Sequence, residues 1–368
     1  MGTDRIRLGI LIGLLSPLAV PAGGIVGQYL LRPVAANARG LPFSLFDGQR
    51  AHTSRCVFWQ GQHAVEGAGL TISLAGETRV RAVRVFTCDP NHLAWTQTRT
   101  EISAWDAAKG TWRTLAAIPD VTGRAADPKA VKPLIETTWQ GEAVTAQFLR
   151  VTLQGAGIWL SEVRIETDDG ILRMPAPKGE PTRQPTVIAL QAGSDMASGS
   201  SRYASVWRAP KAEDTRFYIG HANHFDHRYR AVVKADITPF LLPTRVERAY
   251  LVVRLGAVFG SRPSRVLAVE HLTRETRMLA WSDLRTGEAE GVCRVVVDHT
   301  KPPFGECFLD VTKAVNADLK KGFARSAFRI RDVFAETDGS PDNKAAGAWL
   351  VPGHMRLLVW ETETGEKP

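Results

Sequence analysis

The feature that most constrains this 368-residue chain is a two-residue alternation of apolar and polar side chains, repeated in many short runs. "VRAVRVFTC" (80–88), "TEISAWD", "QFLRVTLQG" and "WLSEVRIE" show it in the first half. "YRAVVKADI", "VERAYLVVRLGAV", "SRVLAVEHL", "CRVVVDHT", "SAFRIRDVF" and "HMRLLVWE" show it in the second. A period of two puts every other side chain on one face of a strand, so each run reads as half-buried β structure bounded by turn residues. Many short strands at this spacing predict sandwiches or jelly rolls. One exception is "DVTKAVNADLKKG", where Val311, Val315 and Leu319 recur every four residues. It predicts a short helix with Thr312 as N-cap and Gly322 closing its end.

The expected fold class is therefore all-β, with two β-sandwich (jelly-roll) domains in tandem after an N-terminal signal or anchor helix. Arg5 and Arg7 precede an uncharged stretch from Leu8 to Leu31. Leu8 to Val20 has the length of a signal-peptide h-region, with small residues suited to cleavage after Ala22 or Ala38. The whole stretch would also suit an uncleaved anchor. Either way the protein is expected outside the cytoplasm, meeting a membrane only through this segment. Residues 1–38 form the signal or anchor, 41–166 the first domain, and 186–362 the second. Between the domains, Pro175, Pro177, Pro181 and Pro185 mark 167–185 as an extended linker. The four cysteines divide two and two, Cys56 with Cys88 and Cys293 with Cys307. One disulfide per domain is permitted, and four buried thiols is the competing reading. The net charge of +8 is interleaved, with no Lys/Arg run that would track a phosphate backbone, which argues against nucleic acid.

The first region, through "LFDGQRAHTSRCVFW", "LTISLAGETRVRAVRVF", "TEISAWDAAKGTWRTLA" and "TAQFLRVTLQGAGIWLSEVRIE", resembles a discoidin domain, the coagulation factor V/VIII type C, galactose-binding-like module. The second, through "RYRAVVKADITPFLLPTRVERAYLVVRLGAV" and "FLDVTKAVNADLKKG", resembles the DNRLRE-type jelly roll of bacterial surface proteins, akin to some alginate-binding modules. "VVKAD" stands where that family usually has "L-R-F-D". The first resemblance implies sugar recognition, with a structural calcium ion held by Asp47 and Glu162. Gln49 occupies a second acidic position, so a turn held by hydrogen bonds alone competes with calcium.

Of the tryptophans in the first region, Trp59 and Trp112 match core positions of the resembled family. Trp95 lies in "DPNHLAWTQTR" beside Asn91, His92 and Arg99, a turn-rich loop suited to ligand contact, with Trp139 and Trp159 as weaker candidates. In "GHANHFDHRYR", His221, His224 and His227 with Asp226 raise the question of a metal site. No H-E-x-x-H helix fixes them, so a polar strand turn is the better reading. No nucleophile elbow, P-loop or dinucleotide fingerprint is present. The expected function is non-catalytic binding of a polysaccharide or glycan. A structural or adhesive protein with a protein partner is the alternative, ahead of a polysaccharide lyase or hydrolase.

Overall fold

The computed structural model describes residues 26–29, 45–46, 56–60, 68–88, 97–119, 134–155, 157–172, 184–191, 194–200, 206–207, 217–222, 227–241, 246–260, 264–275, 289–298, 306–333 and 345–362. Asp47, Asn91, His92, Trp95, His224, Asp226 and most of the proline-rich segment lie outside these residues.

In the first half the strands are β1 (Val26–Tyr29), β2 (Val57–Gln60), β3 (Ala68–Cys88), β4 (Gln97–Asp106), β5 (Thr111–Pro119), β6 (Leu134–Gly155), β7 (Gly157–Thr167) and β8 (Gly170–Leu172). The second half holds β9 (Thr186–Ala189), β10 (Met196–Ser200), β11 (Val206–Trp207), β12 (Phe217–Ala222), β13 (His227–Asp236), β14 (Val246–Phe259), β15 (Ser264–Leu272), β16 (Ala289–Asp298) and β17 (Glu306–Asp310). Helix α1 (Thr312–Lys320) then leads to β18 (Arg325–Asp332), β19 (Ala346–Leu350) and β20 (Arg356–Glu361). All registered pairings are antiparallel, and the all-β sandwich architecture is as expected.

The long strand β3 shows how the pattern works. Leu70, Ile72 and Leu74 face the core at even positions, whereas Val83 and Val85 do so at odd ones. The change of parity coincides with a bulge between Val80 and Ala82, since one extra residue swaps the faces. Beyond it, β3 exchanges its partner β1 for β7, which carries β2 and β8.

The first sheet runs β5–β4–β6–β3–β1–β17–β14–β20–β9 and so passes through both halves. Its seam is β1, paired over four residues with β3 and meeting β17 at Gln28↔Cys307. Val26–Tyr29 of the apolar N-terminal stretch is thus a strand. Among the described residues no helix is long and apolar enough to cross a membrane. The second sheet runs β14–β19–β12–β13–β18–β15–β16, with β10 beside β12 on β13. Strand β14 enters both sheets by turning at the bulge between Leu255 and Ala257.

Strands β17, β14 and β20 are apolar on both faces. Ala249, Leu251, Val253, Leu309, Leu357 and Val359 fill the core against the second sheet. Tyr250, Val252, Phe308, Leu358 and Trp360 join the core of the first half, with Leu45, Trp59 and Leu160. One wall therefore serves two cores, and cutting the halves apart would expose Tyr250 and Trp360, both fully buried.

Candidate functional site

Helix α1 lies against the margin of the second core, burying Ala314 and Val315 there. Its N-cap is Val311 rather than the expected Thr312. The reason is Asp310, whose Oδ1 accepts bonds from the Thr312 amide (3.0 Å) and hydroxyl (2.6 Å), so the orphan donor is satisfied from one residue further back. The other end follows the sequence. Gly322 is left-handed (φ 74), its amide bonds to Leu319, and the Phe323 amide bonds to Asp318, the paired bonds of a Schellman closure.

The helix also carries a buried acid. Asp318 is 1% exposed, and its Oδ2 accepts bonds from His271 Nε2 (2.8 Å) and from the Ser326 hydroxyl. This ties α1 to β15 and β18. A serine, a histidine and an aspartate invite comparison with a nucleophilic relay, but Ser326 is fully buried and bonds to the acid, not the imidazole. A relay needs the nucleophile against the base. The cluster is a positioning device.

Beside it opens a cavity of about 500 Å³. Strands supply Arg248, His271, Glu290, Gly291, Val292 and Asp310; Thr312, Lys313, Ala314 and Ala317 come from α1, with Thr273 and Lys321 beyond. Several of the polar groups are held in place by bonds within the protein. Arg248 pairs with Asp310 at 3.0 Å, the Thr312 hydroxyl accepts the Ala249 amide at 2.9 Å, and Lys321 reaches the Thr273 carbonyl at 3.1 Å. His271, which also lines the cavity, is held there by the bond of its Nε2 to Asp318. Arg248, Lys313 and Lys321 outnumber Asp310 and Glu290, so the lining favours negative charge. The sequence singled out none of these residues as binding groups. The histidine and Asp318 lie 47 positions apart, and only the Asp-Val-Thr start of the helix was a visible signal.

A second cationic feature lies on the outer face of the second sheet. Cross-strand register puts Arg230, Arg331, Ala268 and Arg294 in one row over β13, β18, β15 and β16. Glu270 takes Arg329 and Arg331 at 2.7 Å each. Arg294 has no ion-pair partner among the described residues. Burial, then the Arg331 charge, holds its guanidinium below the usual range. A cavity of about 390 Å³ in the first half is lined by Trp105, Asp106, Arg113 and Gln147. Trp105 is only 6% exposed and packs edge-on against Trp112, so it offers no open ring for a sugar to stack on.

Of the residues expected to bind, Asn91, His92 and Trp95 lie outside the described residues, and the structure places only Arg99, Trp139 and Trp159. Arg99 is exposed and pairs with Glu101 at 3.2 Å, while Trp139 packs against the first core. Trp159 is 6% exposed and stacks on Phe58 at 4.4 Å, which makes it an interior ring. Glu162 is buried on β7, with Arg164 3.4 Å away. For the histidines, pairing of His221 with Arg228 and Ala222 with His227 puts positions 221 and 227 on opposite faces of the β12–β13 hairpin. Among the described residues no three His, Cys, Asp or Glu side chains cluster as a metal site would require.

No family model and no curated protein matches the chain. Solved structures similar to it include the CBM32-1 module of a family 31 glycoside hydrolase from Clostridium perfringens, at 12% identity and TM-score 0.29, covering 40% of this chain and 98% of that one. The tandem CBM22 domain of Paenibacillus barcinonensis Xyn10C matches at 10% and 0.25, covering 92% and 98%. A fucolectin from striped bass (Morone saxatilis) serum matches at 11% and 0.27, covering 93% and 97%. Likeness at this level carries no functional argument.

Proposed function

We propose that this chain is a non-catalytic glycan-binding protein, and that the cavity beside α1 takes a saccharide carrying negative charge. One observation supports this above the others. In a space of about 500 Å³, donors and acceptors, several of them fixed by their own hydrogen bonds, lie beside the small apolar surface of Gly291, Val292, Ala314 and Ala317. Saccharides present that same mixture of hydroxyls and apolar C–H faces, and fixed polar groups bind without a further ordering cost. The resemblance of the first half to discoidin domains, and of the second to a jelly-roll module akin to alginate-binding ones, points to the same ligand class. A protein partner is less favoured, because Ile171 and Val187 are the only large apolar side chains exposed among the described residues. Export, through the N-terminal segment, belongs to the same reading.

The test is retention of the whole chain by neutral and acidic polysaccharides, comparing wild type with Lys313→Glu and with Lys109→Glu as a charge-matched control on the β4–β5 turn. Loss of a charge-assisted bond is worth about 1.5–3 kcal/mol, or about 10- to 100-fold in Kd. Lys313→Glu should show that loss on acidic polymers and Lys109→Glu should not. Failure of the wild-type chain to bind any glycan would end the proposal.

A further inference from the structure

The four cysteines are all buried, but their surroundings differ. Cys56 precedes β2 and Cys88 ends β3, with β7 running between the two strands. Their Sγ atoms lie 3.3 Å apart across 32 positions of sequence, in an apolar pocket of Phe58, Trp159 and Leu134. A disulfide needs about 2.05 Å, so closure is a shift of roughly 1.2 Å, within reach of small side-chain rotations. In the other half, Cys293 on β16 and Cys307 on β17 lie in the aliphatic second core, near enough that a Cys293 charge acts on Cys307, but without a sulfur–sulfur contact like that of Cys56 and Cys88. Burial, then the Asp310 charge, pushes the Cys293 thiol up to about 12, and burial, then the Cys293 charge, raises Cys307 as well.

We infer that Cys56 and Cys88 form a disulfide in the mature protein, whereas Cys293 and Cys307 remain thiols. This divides the cysteines unequally, unlike the one-per-domain arrangement their spacing permits. It stands apart from the glycan reading, since it concerns the first half and the compartment in which the chain folds. The chemistry is thiol–disulfide exchange with a small-molecule or protein disulfide as oxidant. One cysteine thiolate attacks that disulfide and expels the first oxidant thiol, giving a mixed disulfide. The second cysteine thiolate attacks the mixed bond and expels the other oxidant thiol. Two cysteine protons and two electrons leave the chain, and the oxidant ends as two thiols. Because both sulfurs are buried, the exchange occurs before β2 and β3 close over β7, and the finished bond is shielded from mild reductants.

The full chain is refolded in a glutathione redox buffer, denatured, alkylated without and then with reductant, and weighed intact. Two alkyl groups are expected before reduction and four after, with a peptide map linking Cys56 to Cys88. Reduction should lower the Tm by about 5–10 °C, as expected for release of a closed loop of this length. Cys56→Ser and Cys88→Ser should each expose one new thiol, a count made in denaturant that holds even where a variant folds poorly. Four alkylated residues before reduction, or any link to Cys293 or Cys307, would overturn the inference. None before reduction would overturn its second clause.

Discussion

Replacing Asp318 by alanine tests the claim that a buried acid positions α1 and the cavity. The substitution leaves His271 Nε2 and the Ser326 hydroxyl as buried donors without an acceptor. Each orphan costs about 1–3 kcal/mol. An offset of about 1 kcal/mol is expected, because Asp318 Oδ1 is itself buried without a partner and disappears with the side chain. The net expectation is a loss of about 1–5 kcal/mol in urea unfolding at pH 7. Asp318→Asn can keep a carbonyl oxygen at the Oδ2 position for both donors, with its amide at the unpartnered Oδ1 position, so it should lose less than Asp318→Ala. The decisive measurement is a double-mutant cycle with Ser326→Ala. If the acid works through these donors, the double variant loses less than the sum of the singles by about 1 kcal/mol or more. Additive losses, or an Asp318→Ala variant within 0.5 kcal/mol of wild type on the order of ordinary surface substitutions, would refute the reasoning. Polysaccharide retention should fall with stability in this series, because the lining residues of α1 lose their anchor.

Two further outcomes follow from the fold. Removing residues 1–22 should leave stability unchanged, whereas removing 1–29 strips β1 from between β3 and β17 and should cost roughly 2–4 kcal/mol, the sum of a few backbone hydrogen bonds; equal stability of the two truncations would show that β1 is no part of the folded unit. At low pH the carboxylate of Glu270 matters: burial pushes it up, but Arg331 and Arg329 outweigh burial and hold it below its ordinary 4.5. A carboxylate with a depressed folded pKa stabilises the fold above its unfolded value, and that contribution is lost as pH falls from about 4.5 through the folded value. Glu270→Gln should therefore flatten the acid limb of a stability–pH profile below about 4.5, and an unchanged limb would contradict this.

How much of this was legible in the sequence depends on how local each cause is. Alternation alone determined the strands, because a half-buried strand needs nothing but its own neighbours to show a face. The short helix was legible for the same reason, and even its closing glycine was right. Its N-cap was not, since Asp310 bonds forward to Thr312 and a side chain two positions back competes equally well for that role. The apolar stretch containing Val26–Tyr29 reads as a signal segment because an unbroken apolar run carries no periodicity, and its strand partners lie more than 40 positions away in β3 and β17. Trp159 read as a candidate ring because exposure is not a property of a residue type; Phe58, 101 positions earlier by number, is what buries it. Tertiary structure alone decided three things: that β17, β14 and β20 wall two cores, that two of four cysteines meet, and that Asp318, His271 and Ser326 converge. Each depends on strands distant in sequence being brought side by side, and pattern along a chain holds no record of which strands will become neighbours.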